Sequence, residues 1–208
     1  MEIIVLSSTE ISSTEEIEMI KLLFEEGLDF FHVRRKGYSM EKMREYLNKI
    51  PKEYHNRLML HSHYKLALEF DIKGIHITND FRKSKYQMWK VRRFILKKKP
   101  NLSVSASFHS VSMIERKDPL YQYVFLSPIF DSISKRDYQS GFNEYTLTKA
   151  LEKTPYRVFA LGGVDIDKID KIKQLGFAGC VLVGSVWTSE DPINNFKEIK
   201  NKCKEIAQ

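Results

Sequence analysis

Short runs rich in β-branched and aromatic residues recur along the chain: Ile3 to Ser7, Phe30 to Arg34, Leu58 to His61, Gly74 to Thr78, Leu102 to Ser107, Tyr123 to Ser127, Arg157 to Gly162 and Gly179 to Gly184. Between most of them the apolar positions fall three and four apart, as in Ile17, Ile20, Leu23 and Phe24, then Met40, Met43, Leu47 and Ile50. That is the spacing of one helix face. Strands alternating with helices predict an α/β fold of right-handed βαβ units in a parallel sheet. An open doubly wound sheet uses the same units, but Ser7-Ser8-Thr9-Glu10 follows the first strand where a glycine-rich dinucleotide turn would stand. Leu161-Gly162-Gly163-Val164 and Val183-Gly184-Ser185-Val186 each close a strand in the last quarter. In closed barrels the loops after strands seven and eight commonly form a phosphate site. The expectation is one (β/α)8 TIM barrel domain over residues 1–208, with Gly162, Gly163, Gly184 and Ser185 cradling a substrate phosphate.

Composition changes this picture little. Of 208 residues 42% are hydrophobic and 29% charged, as in ordinary globular domains. The apolar runs around Phe125 and Val181 are too short to cross a bilayer, and Met1-Glu2 lacks the basic start of a signal peptide. A cytoplasmic protein with no membrane partner is expected. The net charge of +7 raises nucleic acid as a partner, but the densest basic run, Arg92-Arg93 to Lys97-Lys98-Lys99, encloses Phe94, Ile95 and Leu96. It reads as the solvated face of a helix, so no nucleic-acid partner is expected, and a small anionic substrate accounts for part of the excess. Cys180 and Cys203 have neither disulfide nor metal-ligand spacing and read as packing or surface residues. A homodimer is left open.

Candidate chemistry sits on the strands. His32, Arg34 and Lys36 share one face of the second strand and its continuation, where an arginine fork and a lysine point charge suit an anion. His61 and His63 have the same parity after the third strand, but two histidines without a carboxylate do not make a metal site. They remain open to acid–base work near neutral pH. On the fifth strand Ser107 is placed to hydrogen-bond a ligand, while Ser103 and Ser105 read as room for larger neighbours. His109-Ser110 reads as a cap for a helix beginning at Val111. The least regular stretch, Phe130 to Asn143, contains Ser132, Ser134 and Lys135 and reads as a lid after strand six. No nucleophile elbow or catalytic-cysteine setting occurs.

Several segments together resemble the thiamine-phosphate synthase/TenI family over nearly the whole chain: Phe31-His32-Val33-Arg34-Arg35-Lys36, Gly74-Ile75-His76-Ile77, Ser105-Ala106-Ser107-Phe108-His109-Ser110, Tyr123 to Phe130 with Ser134-Lys135, Ala160 to Val164, and Gly179 to Ser185. The resemblance implies a barrel handling a thiazole phosphate in thiamin biosynthesis. In the synthase branch a pyrimidine diphosphate is joined to thiazole phosphate with magnesium held by carboxylates. Arg34, Lys36 and Lys135 then match pyrophosphate-contacting cations. The family's Asn-Asp falls on His61-Ser62, its second carboxylate on Phe81 or, with a one-residue slip, on Asp80, and its strand-two glutamine on His32. These departures look more like the TenI branch, whose activity is isomerisation of a thiazole carboxylate phosphate, although that branch's histidine falls on Pro128. The expectation is a thiazole tautomerase-like enzyme with His32 and His61 as acid and base and no cofactor. Magnesium enters only if the alternative, a synthase with an altered metal site, holds. A catalytically inactive ligand-binding regulator is the third reading.

Overall fold

The computed structural model describes residues 1–8, 11–130 and 141–206. Eight parallel strands close in sequence order: β1 (Glu2–Leu6), β2 (Phe30–Val33), β3 (Leu58–Leu60), β4 (Gly74–Ile77), β5 (Ser103–Phe108), β6 (Tyr123–Leu126), β7 (Arg157–Leu161) and β8 (Gly179–Leu182). The ring is sealed by β1 against β8, with Ile4 opposite Val181, so the closed alternative is the one the chain adopts. The crossovers carry α1 (Ser13–Glu25), α2 (Met40–Lys49), α3 (Asn79–Lys83), α4 (Lys85–Lys90), α5 (Val111–Ile114), α6 (Glu144–Lys153) and α7 (Ile169–Leu175), and α8 (Gly184–Trp187) and α9 (Pro192–Glu205) follow β8. Local sequence starts the longer helices: Ser12 and Glu15 form a capping box on α1, and Ser39 accepts from Lys42 N–H at the head of α2.

Strand alternation divides the apolar residues into two shells. One set, including Val5, Phe31, Val33, Ile75 and Val124, packs outward under the helices, where Ile17, Ile20, Leu23 and Phe24 cover it as expected. The other set, Ile4, Leu6, Met59, Tyr123, Phe125, Phe159 and Val181, fills the barrel's interior. Gly74 and Gly179 make that filling possible, because a Cβ at Gly74 would sit 2.8 Å from Met59 Sδ and one at Gly179 2.6 Å from Phe159 Cε1. β2 ends at Val33 and β3 at Leu60, one residue short of expectation. Arg34 and His61 therefore lie just past the strand ends, at the barrel's mouth.

The basic run behaves as read: Arg92, Arg93, Lys97 and Lys98 are exposed while Val91 and Ile95 are buried. Cys180 and Cys203 are both buried. No helix among the described residues is long and apolar enough to cross a membrane.

Arg35, which shares the parity of Phe31 and Val33, is likewise buried on the helix side of the barrel. Its guanidinium pairs with the fully buried Glu16 at 3.1 Å and donates to the Ser8 carbonyl at 3.1 Å. Glu16 in turn accepts from Ser8 N–H at 2.6 Å and from the Tyr46 hydroxyl, and burial raises its pKa. One ion pair thus ties the loop after β1 to α1 and α2. Removing one member of a buried pair leaves the other charge without compensation. Arg35→Met is expected to lower unfolding stability by about 3–5 kcal/mol. Adding Glu16→Gln should recover part of the loss, as measured by urea denaturation.

Candidate active site

At the C-terminal ends of the strands a cavity of about 440 Å³ opens, the size of a small-molecule site. Arg34, Lys36, Ser107, Gly162, Gly163, Gly184 and Ser185, all expected to bind anions, line it together. Two glycines there hold left-handed backbone, Gly162 at φ 100° and Gly163 at φ 62°, conformations that side-chain-bearing residues rarely adopt. A Cβ at Gly184 would meet nothing within 4 Å, so that strand end is open to an incoming group. The Ser185 hydroxyl is buried without a hydrogen-bond partner among the described residues. Partial burial lowers the pKa of Arg34, whose backbone N–H is held by Ser7 Oγ at 2.9 Å. Ser132, Ser134 and Lys135, in the middle of the expected lid, lie outside the described residues.

Beneath the cavity is a histidine cluster larger than expected. His61 lines the cavity and shares a hydrogen bond of 2.9 Å between its Nε2 and His32 Nδ1. His32 lies one layer deeper, fully buried and outside the lining, so the expectation that both rings face a substrate is corrected: only His61 reaches it. His76 on β4, absent from the expected site, stacks on His61 with ring centroids 4.1 Å apart. Its neighbours correct the reading of β5. Ser105 is no mere spacer but bonds His76 Nδ1 at 2.8 Å, and Ser107 bonds Nε2 at 2.7 Å. Behind His32, the Tyr123 hydroxyl meets Nε2 at 2.8 Å. Burial pushes all three imidazole pKa values down, that of His76 to about 3, so the cluster is neutral at pH 7.

Two other histidines depart from their readings. His63 has φ 51°, which turns it away from the parity of His61, and its Nε2–H donates to the Tyr38 carbonyl at 2.7 Å. His109 lines the cavity and donates from Nδ1 to the Ser127 carbonyl at 3.0 Å rather than capping α5.

The donor set can be tested against the two kinds of metal ion. Magnesium takes hard oxygen ligands, usually carboxylates. Among the described lining residues Asp80 is the one carboxylate, largely exposed and paired with Lys83 at 3.1 Å, so the residues present do not fit a carboxylate-held magnesium. A softer ion would find nitrogens of His32, His61 and His76 within 4.8 Å of one another. Ligand lone pairs lie in the ring plane, however, and the His61 and His76 planes are stacked at 13°, so they do not aim at a common point.

Fold and cavity define a (β/α)8 barrel whose site is the C-terminal mouth, the face that carries the chemistry in barrel enzymes. Within that class the chain belongs to the thiamine monophosphate synthase family of thiamin biosynthesis, whose model matches residues 3–186. It is 24% identical over 199 residues to the thiamine-phosphate synthase of Limosilactobacillus reuteri, covering 90% of this chain and 88% of that one. A thiamine-phosphate synthase of Prochlorococcus marinus is 26% identical over 195 residues, covering 91% of this chain, which spans only 54% of that longer protein. The crystal structure of a thiamine phosphate pyrophosphorylase from Bacteroides thetaiotaomicron superposes with a TM-score of 0.76 at 30% identity, covering 98% of this chain and 97% of that one. Family membership makes the protein an enzyme of this pathway type; which branch it follows is a matter of chemistry.

The neutral cluster fixes a pH dependence. The folded-state pKa values of His32, His61 and His76 lie below the unfolded value near 6.5. The stability they contribute is therefore present above that pH and is lost as pH falls, because the unfolded chain takes up protons the folded one refuses. Each should cost about 1.4 kcal/mol per pH unit below 6.5. Urea unfolding between pH 8 and pH 5 checks this: stability should be flat above neutrality and steep below it.

Proposed function

We propose that this enzyme isomerises a phosphorylated thiazole by proton transfer without a metal, in the manner of the family's TenI branch. The observation that carries the proposal is His61 at the cavity floor with His32 hydrogen-bonded behind it, where a neutral imidazole can take or give a proton. The substrate phosphate rests against the backbone N–H groups of Gly163 and Ser185, with the otherwise unpaired Ser185 hydroxyl as a further donor. Arg34 and Lys36, past the end of β2, hold a second anionic group, the substrate's carboxylate in this reading. His32 acts through His61, orienting the ring and setting its tautomer.

A synthase is the second reading, favoured by the names of the relatives. There Arg34 and Lys36, with Lys135, would hold pyrophosphate.

Incubation with thiazole phosphates, with and without a pyrimidine diphosphate and magnesium, separates the two. The isomerase reading expects a tautomer of the thiazole in the presence of a chelator; a coupled product that requires both additions would replace it with the synthase. His61→Asn should lower the isomerisation rate by about 10²–10⁴-fold, the range for a positioned acid or base. Affinity for the phosphate should stay within a factor of about two in that variant, and Gly163→Val should reverse the pattern, since valine clashes with the left-handed backbone and blocks the N–H groups.

A further inference from the structure

We propose that the polar groups inside the barrel form a proton wire with both ends in one cavity, entering at His61, passing through His32, Tyr123, Ser105 and His76, and leaving at Ser107. The proposal rests on the proton-transfer reading of the same cavity. Consecutive links are His61 Nε2 to His32 Nδ1 at 2.9 Å, His32 Nε2 to the Tyr123 hydroxyl at 2.8 Å, Ser105 Oγ to His76 Nδ1 at 2.8 Å, and His76 Nε2 to Ser107 Oγ at 2.7 Å. The middle link is the step the proposal adds: Tyr123 and Ser105 stand opposite each other on β6 and β5, which brings their side chains to the same face of neighbouring strands. His32, His76 and Ser105 are fully buried, whereas His61 and Ser107 line the cavity. The path dips through the barrel's interior and returns to the space it left.

Such a wire moves a hydrogen without making a charge. A proton leaving one substrate atom bonds to His61 Nδ1, and the Nε2 proton of that ring passes to His32 Nδ1. The His32 Nε2 proton goes to the Tyr123 oxygen, the phenol proton to Ser105, and the Ser105 proton to His76 Nδ1. The His76 Nε2 proton then moves to Ser107, whose own proton bonds to a second substrate atom as the substrate's double bond shifts between the two. Three imidazoles have exchanged tautomers, every protein group is neutral again, and nothing is oxidised or reduced. Cavity water resets the wire by giving a proton at Ser107 and taking one at His61. Burial, which lowers the pKa of all three histidines and raises that of Tyr123, opposes any charged intermediate and favours this concerted passage. The substrate class is a small phosphorylated compound with a mobile hydrogen across a conjugated imine, enamine or carbon acid.

The test cuts the wire at its deepest point. In 15N-labelled protein, Tyr123→Phe should change the imidazole tautomer shifts of His32 and also those of His76; Ser105→Ala should do the same from the other side, and adding Tyr123→Phe to Ser105→Ala should shift His76 no further. With a thiazole carboxylate phosphate as substrate, Tyr123→Phe should lower kcat by about 10²-fold at unchanged KM. Wild-type rates in mixtures of H2O and D2O should fall along a curve, the mark of several protons in flight, rather than a straight line. A change at His32 with none at His76 would overturn the wire whatever the substrate. So would stoichiometric zinc binding that moves all three histidines to metal-bound shifts. Coupling between His32 and His76 without isomerisation of the thiazole would leave the wire standing and sink the thiazole reading instead.

Discussion

Everything at the centre of this barrel follows from the cost of leaving a polar group without a partner where water does not reach. Three imidazoles, a phenol and a serine hydroxyl occupy positions that barrels usually give to branched apolar side chains. Ser107 brings one end of the network to the cavity. They stay there because each hydrogen-bonds another, and because the uncharged imidazole has one donor and one acceptor to offer. The same requirement settles geometry: a ring bonded through both nitrogens, as His32 and His76 are, has little freedom to turn. His61, at the surface of this network, inherits that order.

The Glu16–Arg35 pair obeys the same rule one layer further out. A carboxylate with no exposure survives because an arginine, a tyrosine hydroxyl and a backbone N–H meet it. Ser7 and Ser8, which line the cavity beside Arg34, are positioned through these contacts and through Ser7 Oγ. Mouth and interior are therefore two faces of one polar arrangement.

Much of this was legible in the chain. Period-two and period-three-to-four patterns located all eight strands and the helices α1 and α2, and glycines at the last two strand ends marked the mouth. His32 and Arg34 could be assigned to the inner side because β2 alternates cleanly. His76 escaped because Gly74-Ile75-His76-Ile77 reads as a strand buried on both faces, in which a lone histidine has no partner visible nearby. Its partners, Ser105 and Ser107, lie on the neighbouring strand and look like space-fillers until the register sets His76 opposite Ser105. The turn at His63 depends on a backbone conformation that composition does not encode.

Closure of the ring by β1 against β8 carries a kinetic meaning. The cavity is lined by residues from Leu6 to Thr188, and the last seam pairs Glu2 with Gly179. No fragment of the ring holds a complete mouth, and the seam joins segments from opposite ends of the sequence, a contact that forms slowly because a long loop must close first. A molecule that binds the finished mouth binds the closed ring alone, so its affinity adds directly to the work of opening that seam. The ligand of this protein is in that sense its clasp.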